Sequence, residues 1–175
     1  MSPSDCKVLL IGYGNPGRVD DGLGPALAEA VAATGPPGVT VDADYQLTVE
    51  DAAAVARHDI VIFADADVGG PEPFAFRRIE PKTTLTFSSH EIAPEAVLGL
   101  AHDLFGARTR GFALAIRGYE FNEFCESLSA RARANLDQAV GFIGRVLREG
   151  DFREVRAEPE AATPVNQTPS NGDQP

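Results

Sequence analysis

A glycine-rich loop near the start of the chain is the feature that most constrains its fold. The loop spans residues 12–24, follows the apolar run of residues 8–11 and precedes a helical pattern that starts at about Pro25. Open α/β proteins place ligands at such strand-to-helix turns, at the carboxyl edge of the sheet. Two adjacent carboxylates, Asp20 and Asp21, occupy this turn. Negative charge suits a cation-binding loop and opposes a phosphate-binding one, so the turn favours a cation.

Strand and helix patterns alternate through most of the chain. Continuous apolar runs predict strands, and apolar residues spaced by three and four positions predict helices. The predicted strands are 7–11, 39–42, 59–64, 73–79, 83–87 and 111–116, and the predicted helices are 24–33, 49–57, 93–104 and 130–148. Short βα units favour a parallel sheet. We therefore predict an α/β fold, a three-layer domain with a mostly parallel twisted sheet and helices on both faces.

The composition changes at about residue 151. The length of 175 residues suits one domain, and residues 1–150 carry all of the periodic patterns. Residues 151–175 lack apolar periodicity and contain five acids and two arginines among several prolines. We predict that this second stretch is a disordered acidic tail outside the functional site.

The acidity of the chain limits its partners. The formal net charge is −11 at pH 7, which repels nucleic-acid phosphates and anionic membranes, so neither is an expected partner. No apolar run approaches the roughly 18 residues of a membrane span, and the first residues do not resemble a signal peptide. Cys6 and Cys125 form no C-x-x-C pair. We therefore expect a cytoplasmic protein with two reduced thiols.

Residues 12–17 match the G-x-G-x-x-G pattern of dinucleotide-binding loops, and Asp42 ends the second predicted strand where a ribose-binding acid would stand. Pro16 interrupts that loop, and the predicted helix starts too late for the third glycine to pack it. Two like charges at 4 Å repel by roughly 4 kcal/mol at an effective dielectric constant near 20, so the loop's aspartates oppose a pyrophosphate. A tight turn alone explains Gly12 and Gly14.

Three chemically useful side chains follow predicted strands that end at the same edge of the sheet. They are Asp21 in the first loop, Asp65 after the third strand and His90 before the helix predicted at 93–104. Two carboxylates and an imidazole suit a divalent metal with open positions. The same groups suit general acid–base chemistry without a metal. The spacing of the three residues does not choose between these roles.

Other polar residues near this edge have structural explanations. One of the two loop aspartates is expected to cap the following helix or complement its dipole. Asp67 is expected to cap a turn. His58 stands at a predicted helix end, and His102 is expected to be an exposed residue late in a helix. We predict structural roles for both histidines.

Four motifs together resemble the hydrogenase maturation proteases. They are Val-Leu-Leu-Ile-Gly-Tyr-Gly-Asn at 8–15, Asp-Asp-Gly-Leu-Gly at 20–24, Ala-Asp-Ala at 64–66 and Ser-His-Glu at 89–91. The resemblance runs in order over about residues 7–147. Members of this family are endopeptidases that trim the C-terminus of the large subunit of [NiFe] hydrogenases.

The resemblance implies roles for particular residues. The family's metal-contacting positions fall on Asp21, Asp65 and His90, which we take as the catalytic and metal residues. Gly12, Gly14 and Asn15 shape the loop that the substrate approaches. The implied metal is nickel supplied by the large-subunit precursor, for which cadmium or zinc can substitute, and no organic cofactor is implied. Carboxylate and imidazole hold nickel less firmly than the substrate's thiolates do.

Two departures from the family pattern and two alternative functions accompany this prediction. Asp21 stands where some members have glutamate, and residues 44–51 replace a Gly-Gly-Thr segment common in the family.

Residues 45–51 and 117–121 resemble the branch that serves NAD-linked hydrogenases. The alternatives are a nucleotide-binding α/β protein and a non-catalytic binder of the precursor. A likeness of the first loop to peptidyl-tRNA hydrolases lacks the histidine that those enzymes need after the loop.

Overall fold

Strands and helices alternate along the chain as predicted. The computed structural model describes residues 6–82 and 92–156. Its strands are β1 Val8–Tyr13, β2 Val39–Asp44, β3 Ile60–Asp67, β4 Phe74–Ile79, β5 Arg110–Arg117 and β6 Val155–Arg156. Its helices are α1 Leu23–Thr34, α2 Asp51–Val55, α3 Pro94–Phe105 and α4 Ala130–Glu149, and a 3₁₀ turn, Val19–Gly22, precedes α1.

These strands form a mostly parallel sheet in the order β2-β1-β3-β5-β4-β6. Strands β2, β1, β3 and β5 are mutually parallel, and β4 runs antiparallel to β5 and β6. Every residue of β1 from Val8 to Gly12 and of β3 from Ile60 to Ala64 is buried. Central parallel strands are covered on both faces, which explains their unbroken apolar runs.

Two hydrophobic clusters cover the two faces of the sheet. On one face α1 and α4 pack through residues such as Leu27 and Ile143. On the other face the shorter α2 and α3 pack through residues such as Val55 and Leu98. The predicted α/β architecture, with helices on both faces, is confirmed. Its carboxyl edge collects the loops after β1, β2, β3 and β5.

The end of the sheet differs from the sequence prediction. Strand β6, Val155–Arg156, pairs with β4, so strand structure continues past residue 150. Residues 157–175 and the strand predicted at 83–87 lie outside the described residues. Among the described residues, no helix has the length and apolarity to cross a membrane. Cys6 and Cys125 are both free thiols, as expected.

Candidate active site at the carboxyl edge

A cavity of about 330 Å³ opens at the carboxyl edge of the sheet. Both predicted carboxylates, Asp21 and Asp65, line it. The other lining residues come from the ends of β1, the loop after β2 and the start of α3: Tyr13, Gly14, Tyr45, Gln46, Leu47, Ile92, Ala93 and Pro94. The cavity thus joins two acids from neighbouring strands with a partly apolar wall, an arrangement typical of ligand sites in open α/β sheets.

Asp21 is held by the loop that precedes it. The backbone N–H of Asn15 donates to Oδ2 of Asp21 (3.1 Å). The Asn15 side chain accepts a hydrogen bond from the Gly17 N–H (2.9 Å), which closes the turn. Gly14 has φ 136°, and a Cβ there would overlap the carbonyl oxygen of Asp21. Gly14 and Asn15, which we predicted to shape the loop that the substrate approaches, position the Asp21 carboxylate.

The start of α1 packs unusually close to the sheet. A Cβ on Gly12 would overlap the carbonyl oxygen of Gly24, and a Cβ on Gly24 would overlap the carbonyl oxygen of Tyr13. Helix α1 begins at Leu23, well after Gly17, as the sequence analysis predicted. Gly24 rather than Gly17 therefore provides the close contact between helix and strand, and the dinucleotide-loop geometry is absent from this turn.

Asp65 stands near the carboxyl end of β3. In the sheet, Asp65 pairs with Ala115 of β5. Ala64, the residue before it, pairs with Gly12 of β1. Oδ1 of Asp65 accepts a hydrogen bond from the Ala66 N–H (2.7 Å). The register of two adjacent parallel strands thus carries Asp65 to the same edge as the Asp21 loop.

Asp67 caps the turn after β3, as predicted. Its Oδ1 accepts hydrogen bonds from the backbone N–H groups of Gly69 and Gly70, each at 2.9 Å. The carboxylate of Asp67 is thus committed to its own loop.

Asp20 has a different role from the helix cap predicted for one of the two loop aspartates. Its side chain is fully buried (0% exposed), and α1 has no side-chain cap. Its carboxylate accepts hydrogen bonds from the backbone N–H groups of Tyr119 (2.8 Å), Glu120 (2.9 Å) and Ser129 (2.8 Å) and from the Ser129 hydroxyl (2.8 Å). Asp20 therefore ties the site loop to the segment between β5 and α4.

These bonds also decide the ionisation of Asp20. Burial raises the pKa of its carboxyl, but the hydrogen bonds from Ser129, Tyr119 and Glu120 lower it by more, and the net pKa is below its ordinary value. Hydrogen bonds to a carboxylate favour its charged form. Asp20 is accordingly an ionised, internally solvated anchor.

Backbone hydrogen bonds reinforce the same junction. The Val19 N–H donates to the Cys125 carbonyl (2.9 Å), the Cys125 N–H donates to Gly17 (3.0 Å), and the Asp20 N–H donates to Glu120 (2.9 Å). Val19 is left-handed at φ 49°, a conformation that costs a β-branched residue about 1–3 kcal/mol. The bonds to the segment after β5 hold it in this conformation.

Tyr119 belongs to a polar cluster beside this junction. Its hydroxyl donates to Glu72 (2.5 Å) and accepts from the side-chain amide of Asn135 (2.8 Å). Arg131 pairs with Glu72 (2.6 Å) and lies over the Tyr119 ring at 3.9 Å. Burial and the Glu72 contact both raise the pKa of Tyr119. The cluster fixes the start of the segment that holds Asp20, a role that no pattern in the sequence indicates.

His90 lies outside the described residues, so its predicted meeting with Asp21 and Asp65 remains a prediction. Ile92, two positions further along the chain, lines the cavity. Within residues 6–82 and 92–156, no group of three or more His, Cys, Asp or Glu side chains is placed to hold a metal ion. The two aspartates of the cavity are by themselves an incomplete set of ligands for a metal ion.

The other two histidines have structural roles, as predicted. The His58 ring contacts the Ala54 carbonyl (2.8 Å) and the Thr40 hydroxyl (3.0 Å). The expectation that His102 is exposed is wrong. The His102 ring is half-buried, and its Nε2 contacts the Thr109 carbonyl (2.9 Å), which ties α3 to the approach to β5.

The acids beside the cavity oppose an anionic ligand. Burial and the nearby carboxylates of Asp42 and Asp51 raise the pKa of Asp44, which ends β2. The exposed Asp42 accepts a hydrogen bond from the Ala43 N–H (2.9 Å). This concentration of negative charge disfavours the pyrophosphate of the nucleotide alternative.

Solved structures share this fold over most of their length. A [NiFe] hydrogenase maturation protease, HycI, from Thermococcus kodakarensis matches with a TM-score of 0.64 and 21% identity, covering 82% of this chain and 93% of that one. The hydrogenase maturating endopeptidase HybD from E. coli matches with a TM-score of 0.60 and 20% identity, covering 86% and 97%. No protein-family model and no curated protein matches the sequence. The fold is thus that of the proteins which the sequence motifs resemble.

Proposed function

We propose that this chain is a hydrogenase maturation endopeptidase that removes the C-terminal extension of a nickel-loaded [NiFe] hydrogenase large-subunit precursor. The observation that carries the proposal is the shared cavity of Asp21 and Asp65, in a fold that resembles those of the maturation proteases HycI and HybD. The motifs at 20–24 and 64–66, through which the sequence resembles that family, contain these two aspartates. The reaction is placed in the cytoplasm, where free Cys6 and Cys125 are stable thiols.

In this proposal the nickel is bound by the substrate, and the protease detects it without binding it permanently. Asp21 and Asp65, with His90, contact the nickel that the precursor's thiolates hold. Carboxylate and imidazole ligands compete poorly with thiolates for nickel, so an incomplete site can test for the metal without removing it. Cleavage then waits until the precursor carries its metal.

The chain's own residues perform two further tasks. Asn15 and Gly14 hold the Asp21 carboxylate towards the cavity, and Asp20 keeps the whole loop in place. Peptide hydrolysis needs a water molecule activated at the scissile carbonyl. A carboxylate of the cavity can take the proton from that water, or the substrate's nickel can lower the water's pKa.

The test compares single variants on nickel-loaded precursor. We expect Asp21→Asn to lower the rate of C-terminal trimming by about 100-fold or more, because it removes the charge that contacts the metal or accepts the proton. Asp42→Asn is the matched control, an exposed acid of the same edge that does not line the cavity, and it should cleave within about twofold of the parent. Mass spectrometry of the precursor measures both.

Nickel-free precursor tests whether cleavage depends on the metal. It should stay uncut, and trimming as fast as that of nickel-loaded precursor would contradict a requirement for nickel. If the protein binds the precursor but the precursor's mass never decreases, the non-catalytic binder is favoured. Micromolar binding of NAD or ATP would favour the nucleotide-binding alternative instead.

A further inference from the structure

One large apolar side chain is almost fully exposed on a segment that is bonded to the site loop. Phe124 is 89% exposed, and it lies in the segment of residues 118–129 between β5 and α4, which we call the docking segment. A single exposed hydrophobic residue on a mobile loop needs no explanation. Phe124 differs because the backbone is held by hydrogen bonds at the next residue, Cys125, and at Glu120, four positions before it.

The docking segment is bonded to the loop that carries Asp21. Cys125, the next residue, exchanges backbone hydrogen bonds with Gly17 and Val19 (3.0 and 2.9 Å). Both ends of the segment are held by Asp20, through Tyr119 and Glu120 at its start and Ser129 at its end. An aromatic side chain on a fixed backbone pays little ordering entropy when it binds, which is the property of an interface anchor.

The charged residues within the docking segment have one sign, although the exposed Arg18 of the site loop pairs with Cys125. Glu120, Glu123 and Glu126 are exposed, and residues 118–129 contain no lysine or arginine. The site loop to which the segment is bonded adds the carboxylate of Asp21, which lines the cavity together with Asp65. An exposed apolar residue with exposed glutamates close to it in the chain complements a protein surface that has an apolar pocket rimmed by lysine or arginine, because opposite charges steer association and suppress wrong partners.

We infer that the docking segment binds the large-subunit precursor, with Phe124 entering an apolar pocket of that protein and the glutamates facing its basic residues. This inference rests on the proposed function. Because the segment is tied to the Asp21 loop, docking there would hold the precursor's C-terminal region at the cavity. A second copy of this chain is the competing occupant, since four basic residues lie at or just before the starts of its parallel strands: Lys7, Arg57, Arg108 and Arg110.

Cleavage kinetics with nickel-loaded precursor test the inference. We expect Phe124→Ala to raise KM about 10-fold while kcat at saturating precursor stays within about twofold. Phe105→Ala is the matched control, an exposed phenylalanine (55%) at the far end of α3, and it should leave both constants unchanged. The double variant E123K/E126K should raise KM as well and weaken the dependence of kcat/KM on salt.

The outcomes separate this inference from the function it rests on. Cleavage by the parent with equal KM for Phe124→Ala and Phe105→Ala would overturn the docking inference and leave the function standing. A parent protein that neither binds nor cleaves precursor would overturn both. A dimer of the parent in sedimentation at assay concentration, dissociated by Phe124→Ala, would assign the segment to a second copy and so also overturn the inference.

Discussion

The two sides of the site loop use the same residue type in opposite ways. On the side of the docking segment, Asp20 is fully buried and accepts four hydrogen bonds from Tyr119, Glu120 and Ser129. On the cavity side, the adjacent Asp21 is half-buried and accepts one hydrogen bond from the Asn15 N–H. The first carboxylate is fully occupied by the protein itself, whereas the second faces a space large enough for a ligand.

The two neighbouring aspartates therefore have different roles: Asp20 stabilises the fold, and Asp21 is available for chemistry. A carboxylate whose acceptor positions are filled by internal donors is rigid and has little capacity for an external cation. A carboxylate held through one oxygen keeps its orientation and retains acceptor capacity. The loop therefore combines an anchor and a reactive group, and variants of each should fail in different ways.

The largest effect on stability is expected from Asp20→Ala. The substitution leaves three backbone N–H groups without their acceptor in a buried position, and it should cost about 3–5 kcal/mol of unfolding free energy. Urea denaturation followed by circular dichroism measures this as a lower midpoint at similar slope. Ser129→Ala, which removes the hydroxyl contact and the α4 cap, should cost only about 1 kcal/mol. Equal losses for the two variants would contradict an anchor centred on Asp20.

A smaller effect is expected from Gly14→Ala, which acts on the cavity side. The added Cβ would overlap the Asp21 carbonyl oxygen at a residue with φ 136°, so we expect a loss of about 2 kcal/mol. The displaced Asp21 should also slow cleavage. Gly141→Ala, where nothing lies within 4 Å of the new Cβ, is the control and should not slow cleavage. Full activity of Gly14→Ala would contradict the positioning role of the loop.

The smallest expected effect is on the pH dependence of stability. The folded-state pKa of Asp20 lies below its ordinary value of 3.8, so its contribution is complete above that value and is lost as the pH falls through the lower, folded-state pKa. Urea midpoints measured from pH 7 to pH 2.5 should therefore fall more steeply for the parent than for Asp20→Asn. Parallel curves would show that the anchor does not titrate with folding.

Much of the fold could be predicted because its signals are local. The unbroken apolar runs of β1 and β3 indicate central parallel strands, and α4, observed at Ala130–Glu149, differs from its prediction by one residue. The placement of Asp21 and Asp65 at one edge followed from the same rule, because neighbouring parallel strands end together. The cavity lined by both residues agrees with that expectation.

The remaining features depend on contacts between distant parts of the chain. The partners of Asp20 lie 99 to 109 positions away, so no local pattern distinguishes it from Asp21. The antiparallel pairing of β4 with β5 and the contact of His102 with Thr109 are likewise set by packing. Tyr45 lines the cavity, and the family likeness of residues 45–51 does not by itself predict this position.

The left-handed backbone of Val19 has a consequence for local opening of the molecule. Its strained conformation (φ 49°) is held by a hydrogen bond from the Val19 N–H to the Cys125 carbonyl. Val19 therefore cannot relax unless this hydrogen bond breaks. Detaching the segment after β5 would let Val19 relax to an ordinary conformation and would remove the support of Asp20 in the same event. The region should therefore exchange its amide protons as one cooperative unit, open or closed as a whole.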